Sequence, residues 1–174
     1  MQPASTDGTE FLTEHVDWIF ALATVLTPRR ADAEDVAQEV LIRALRHSER
    51  VRNAASPKAY LRRMTVNEVI RFGRRSPRAK EVALVDQVVE EPGYENADLQ
   101  VETRRLLAGL SRRRAVAVAL YYLEGCSYSE VAAALHCREG TARSLVSRGL
   151  AQLRDGATGN ASRPVKLPAN VEEQ

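Results

Sequence analysis

Hydrophobic positions recur at three- and four-residue spacing over most of the chain, the period of helices with one buried face. Phe11, Leu12, Val16, Ile19, Phe20, Ala23 and Leu26 keep that spacing and stop at Pro28. Val36, Val40, Leu41, Ala44 and Leu45 form the next stripe. Asp32 reads as its N-cap, with Glu34 and Asp35 in the first turn, where carboxylates meet the positive end of the helix dipole. Ser56 and Pro57 then supply an N-cap and an N1 proline for a helix reaching about Arg75, with Tyr60, Leu61, Met64, Val69 and Phe72 inward.

A second helical block follows. It predicts a helix over residues 98–108, another over 111–123 ended by Gly125, and a short one opened by the capping box Ser127 and Glu130, with Val131, Ala132 and Leu135 inward. Residues 136–138 make a tight break. A last helix over 139–154 buries Ala142, Val146, Leu150 and Leu153. No useful period-2 alternation of a strand occurs. The expectation is an all-α fold of two small helical domains, 9–75 and 98–154, joined by a flexible linker over 76–97 that carries Pro77, Pro92 and Gly93. A disordered tail rich in Gly, Pro, Asn and Ser is expected over 155–174.

The short helix, tight turn and second helix of the second block form a helix-turn-helix pattern. Its second helix exposes Arg143, Ser144, Ser147 and Arg148 on one face, side chains that suit base edges and phosphates in a major groove. An ordinary helical hairpin with a solvated basic face has the same pattern. The helix before the linker carries Arg62, Arg63, Arg71, Arg74 and Arg75, able to neutralise phosphates. Tyr60 and Phe72 are candidates for stacking on an unpaired base, although Phe72 suits a core position better. Asn67, a poor helix former in mid-helix, is either a base-contacting amide or simply exposed. Gln38, Glu39 and Arg43 make a polar face that is either a docking patch or a solvated one. Trp18 and residues 115–123 read as core.

Charge changes the picture only when taken by segment. The chain of 174 residues has 25 Lys+Arg and 23 Asp+Glu, a net +2 that does not advertise nucleic-acid binding. Residues 1–75 carry +2, 76–100 carry −4, 101–155 carry +4, and the rest are neutral, so two basic blocks flank an acidic stretch. Of the 25 cations only Lys58, Lys80 and Lys166 are lysines. Arg forks bind phosphate and carboxylate bidentately, and a GC-rich genome gives the same bias.

Several function classes recede. The longest apolar run, residues 115–123, is far short of the roughly 20 needed to span a bilayer. The first ten residues have neither a basic nor an apolar signal region, so a cytoplasmic protein is expected. Cys126 and Cys137 are too few for a disulfide scaffold and, with His136, supply at most three zinc ligands, so no metal site and no cofactor are expected. Asp32, Glu34 and Asp35 are explained by the helix N-terminus rather than by a metal. No nucleophile–base arrangement or Gly-rich phosphate loop is present, and no enzymatic activity is expected.

The stretch DAEDVAQEVLIRAL (32–45) resembles conserved region 2 of bacterial extracytoplasmic-function (ECF) sigma factors, and AYLRRMTVNEVIRFGRR (59–75) resembles its continuation. LSRRRAVAVALYYLEGCSYSEVAAALHCREGTARSLVSRGLAQLR (110–154) resembles region 4 of the same family, and the Val66–Asn67 pair is similar to an actinobacterial branch. The resemblance implies a transcription initiation factor that binds core RNA polymerase through the β′ clamp and the β flap, selects promoter DNA and helps open it. It places Asp35, Gln38, Glu39 and Arg43 on the polymerase-docking face. It places Asn53, Arg62, Arg63, Asn67 and Arg71 at the −10 element, and Arg138, Thr141, Arg143, Ser144, Ser147 and Arg148 at the −35 element. The acidic linker is expected to avoid duplex phosphate. An anti-sigma partner, common among relatives, belongs to the same expectation, and a membrane does not. A conventional helix-turn-helix regulator acting without polymerase is the alternative. The sequence departs from the family pattern at Ser111 for a proline, Glu68 for a leucine, His136 for a turn glycine and Leu145 for an arginine.

Overall fold

The computed structural model describes residues 11–75 and 97–159. After a helical turn at 11–13, an N-terminal unit comprises α1 (Val16–Leu26), α2 (Arg30–Arg46), α3 (Ser48–Arg52) and α4 (Pro57–Arg75). A C-terminal unit comprises α5 (Ala97–Ala108), α6 (Arg112–Tyr122), α7 (Tyr128–Leu135) and α8 (Glu139–Gly159). The described residues contain no strand.

The buried apolar residues of both units join in one continuous cluster. Ile19, Leu22, Val36, Val40, Leu61, Val66 and Val69 are buried where α1, α2 and α4 meet. Val116, Leu120, Val131, Leu135, Ala142 and Val146 fill the space between α6, α7 and α8. Gly149 lets α8 cross α6 closely, since a β-carbon there would lie 2.6 Å from Val118 Cγ2. The expected helix signals are in place. Ser56 Oγ accepts from the Ala59 amide at 3.3 Å. Ser127 Oγ accepts from the Glu130 amide at 3.3 Å, and the Glu130 carboxylate accepts from the Ser127 amide at 2.9 Å, a complete capping box. His136 ends α7 at φ 49°, taking the left-handed turn usually given to glycine, and Gly125 takes φ 64° after α6.

Three expectations are corrected. Helix α2 begins at Arg30, not after Asp32. Asp32 lies inside the first turn, buried, with its carboxylate 3.1 Å from Arg29 Nη2. Leu45, expected in the core, is exposed, because α2 is covered on one side only. Helix α8 continues through residues 155–159, where the disordered tail was expected to start; the rest of that tail lies outside the described residues. The linker expected over 76–97 also lies outside them, except that Ala97 already opens α5.

The two units pack against each other. Helix α4 lies along α7 and touches α6, while α1 meets α5 and α6. Trp18, expected in a core, is half-buried on this seam, where its indole Nε1 donates to Glu124 Oε2 at 2.8 Å and Lys58 lies over its ring. Arg112 of α6 lies across Gly73 of α4 so closely that a β-carbon at Gly73 would come within 2.1 Å of Arg112 Nε. Burial there lowers the Arg112 pKa, and the charge of Asp32 acts against that shift.

Candidate nucleic-acid interfaces

The outer face of α8 carries the most accessible of the three candidate sets. Arg138, Thr141, Arg143, Ser144, Ser147 and Arg148 are all exposed, while Ala142 and Val146 hold the opposite face in the core. The sequence read Arg143, Ser144, Ser147 and Arg148 as one face, and the structure leaves all four exposed. Two local contacts shape it. Ser144 Oγ donates to the Gly140 carbonyl at 2.9 Å. The Arg143 guanidinium lies 4.6 Å from the centre of the Tyr128 ring.

The set proposed for the −10 element is split. Asn53 and Arg63 are exposed. Arg62, expected as an exposed cation, is only 8% exposed. Its Nη1 is 3.5 Å from Glu130 Oε1 of α7, and its Nε is buried with no hydrogen-bond partner among the described residues. Asn67 Nδ2 lies 3.3 Å from His136 Nε2 at the end of α7. A cleft of about 210 Å³ remains between the units, lined by Ala54, Ser56, Tyr60 and Arg63 on one side and by Glu130 and Ala133 on the other. Arg71 turns away from this cleft toward α2.

Arg71 joins the third set, on α2. Asp35 and Gln38 are exposed. Glu39 and Arg43 are half-buried in a charge network with α4. Arg43 is 2.8 Å from Glu39 and 3.0 Å from Glu68. Arg71 donates to Glu68 through Nε at 3.0 Å and Nη2 at 2.8 Å, and reaches Glu39 at 3.3 Å. Desolvation raises the Glu39 pKa, but the charges and hydrogen bonds of Arg43 and Arg71 outweigh it and leave the carboxyl below its ordinary range. Sequence reasoning assigned Glu39 and Arg43 to one face and Arg71 to another, and it missed Glu68 as their common partner. The signal lay in the departure itself: a carboxylate at a core-facing helix position needs cations within reach.

Among the described residues, no three His, Cys, Asp or Glu side chains gather as metal ligands. Cys126 is buried and Cys137 half-buried; burial pushes the Cys126 thiol up to about 11, away from the reactive thiolate. No helix of the described residues is long and apolar enough to cross a membrane.

Comparison with known proteins adds an independent observation. Residues 11–79 match the family Sigma-70 region 2, and residues 100–153 match Sigma-70, region 4. The ECF RNA polymerase sigma factor SigE of Mycolicibacterium smegmatis is 33% identical over 162 residues, an alignment covering 88% of this chain and 63% of that protein. The chain thus spans less than two thirds of that relative's length. The RNA polymerase sigma-E factor of Streptomyces coelicolor is 31% identical over 150 residues, covering 84% of this chain and 83% of the relative. The ECF RNA polymerase sigma-E factor of Escherichia coli K12 is 32% identical over 132 residues, covering 67% and 69%. Among solved structures, the sigma factor RpoE in complex with the anti-sigma factor NepR, from Bartonella quintana, superposes with a TM-score of 0.70 at 28% identity. It covers 90% of this chain and 99% of that one. CnrH in complex with the cytosolic domain of CnrY gives a TM-score of 0.62 at 16% identity, a likeness of fold.

Proposed function

The chain belongs to the ECF RNA polymerase sigma factor family, and from that premise we propose that it directs core RNA polymerase to promoters in the cytoplasm. The observation that carries this reading is the presence of region 2 and region 4 on one chain, in that order. The exposed face of α8 reads the −35 element. Arg143 and Arg148 suit guanine edges and phosphate, and Thr141, Ser144 and Ser147 suit phosphate oxygens. Helix α4 and the loop before it, with Asn53, Arg62, Arg63 and Asn67, take bases of the −10 element as they leave the stack, at an unpairing cost of a few kcal/mol. Phosphodiester chemistry stays with the polymerase, and this chain contributes binding and positioning.

On this reading the packed form is a resting form. Helix α7 engages Arg62 and Asn67, so α7 must part from α4 before those side chains meet DNA. The half-satisfied Arg62 then exchanges one carboxylate for a phosphate. Once polymerase holds the two units apart, their weak DNA contacts reinforce each other through effective concentration. An anti-sigma protein, such as the one bound in the Bartonella structure, would hold the chain inactive.

Reconstituted transcription tests the reading. With core polymerase from a close relative of the source and a randomised promoter library, the full chain should select −10 and −35 elements at a fixed spacing. Absence of any selected start would refute it. Tight palindromic duplex binding without polymerase would favour the conventional regulator instead. For polymerase docking, Asp35→Ala with Gln38→Ala is the clean pair, because Glu39 and Arg43 also anchor α2 to α4.

A further inference from the structure

Arg143 is the one cation of the α8 face that rests on an aromatic ring among the described contacts. Beneath that ring, Tyr121 stacks on Tyr128 at 4.5 Å between centroids and 17° between planes. Tyr122 meets Tyr121 edge-on at 5.1 Å and 77°. Three helices thus build one layered stack: α6 gives Tyr121 and Tyr122, α7 gives Tyr128 as its first residue, and α8 gives Arg143. The ring of Tyr128 is fixed from below by Tyr121 and from its own backbone by the capping box at Ser127.

We propose that Tyr128 is a positioning residue for promoter recognition, a shelf that holds the Arg143 guanidinium in the orientation that reads a base. The inference rests on α8 being the −35 helix. A free arginine side chain carries about 2 kcal/mol of rotamer entropy, and ordering it on contact with DNA weakens both affinity and discrimination. A ring whose centre lies 4.6 Å from the guanidinium carbon removes much of that freedom. A cation–π contact leaves the N–H donors available for a bidentate pair with guanine O6 and N7. The Arg143 side chain remains 63% exposed, so the edge is accessible. Its other contact, to Glu139 at 3.5 Å, is long and joins two exposed groups, too weak to orient it alone. The shelf itself needs only a π face, while the Tyr128 hydroxyl is hydrogen-bonded to Tyr121.

The test uses the full chain with core polymerase and a promoter library randomised across the −35 element. Wild type is compared with Arg143→Ala, Tyr128→Phe, Tyr128→Leu and Tyr128→Leu combined with Arg143→Ala; Tyr128→Met is a second ring-less variant that fills the same space. Retention of wild-type helical circular dichroism shows which ring-less variant is folded. Arg143→Ala should flatten base preference at defined positions. Loss of the ring should flatten preference at those same positions about two- to fivefold, the equivalent of about 0.5–1 kcal/mol for an exposed cation–π contact. Tyr128→Phe should keep the wild-type profile, and the double variant should match Arg143→Ala. A ring-less variant that keeps the wild-type profile, or loses output uniformly across sequences, overturns the positioning role while the −35 reading stands. An Arg143→Ala variant with unaltered preference overturns both.

Discussion

Glu68 carries two opposing demands. It faces the interior at 6% exposure, where an uncompensated carboxylate is costly, yet it stands between two arginines that need a counter-charge. Arg43 from α2 and Arg71 from its own helix compensate it. Glu68→Gln keeps the shape and removes the charge. It should lower stability by about 1–2 kcal/mol through weaker charge-assisted bonds, read as a reduced urea midpoint. An unchanged midpoint would mean that solvent serves the two arginines as well as Glu68 does. This residue also shows the limit of reading sites from sequence. The exposed face of α8 was legible because a helix of known phase sorts its own side chains in and out. The fate of Arg62, Arg71 and Glu39 was not, since each is decided by a partner on another helix: 68, 32 and 32 positions away in the chain.

Among the elements, caps and turns were the most readable, because their chemistry is local. Ser127, Glu130, Ser56 and Gly125 sit where their residue types place them, whereas Asp32, read as an N-cap, lies inside the first turn of α2 and His136 takes a turn usually given to glycine. Errors fell where tertiary cover decides. Helix α2 starts three residues early and leaves Leu45 outside, and α8 runs on past Arg154. The α7 cap gives a prediction of its own. Ser127→Ala should destabilise the chain by about 1 kcal/mol in chemical denaturation, and a change near zero would show that α7 is held by packing alone. The Ser127 backbone amide and hydroxyl, assisted by Arg62, hold the Glu130 pKa below its ordinary value. A carboxyl depressed on folding contributes stability that is present above its unfolded pKa and lost as pH falls through its folded one. The stability difference between wild type and Glu130→Gln should therefore be largest near neutrality and close in acid; a difference constant across that range would remove the Glu130 charge from the account.

For the whole molecule, the segmental charge pattern and all-α class were visible in the sequence, whereas the seam between units was not. Its contacts join residues as far apart as Trp18 and Glu124, and no periodicity reports them. Gly73 is a point of close approach. Alanine there favours the helix by up to about 1 kcal/mol but drives Arg112 from its place across α4. Gly73→Ala should thus preserve or raise helical content and leave the radius of gyration in small-angle scattering unchanged, as the flexible end of Arg112 swings aside. An increased radius with full helicity would show that the seam depends on Arg112 and that the units separate. The ion pair in this seam has a consequence for ionic strength. Salt screens Arg62 from the half-exposed Glu130, and the same salt weakens every phosphate contact. Raising it releases the interface from its internal partner while loosening its grip on DNA. The salt dependence of promoter engagement is then shallower than the number of phosphates touched would require.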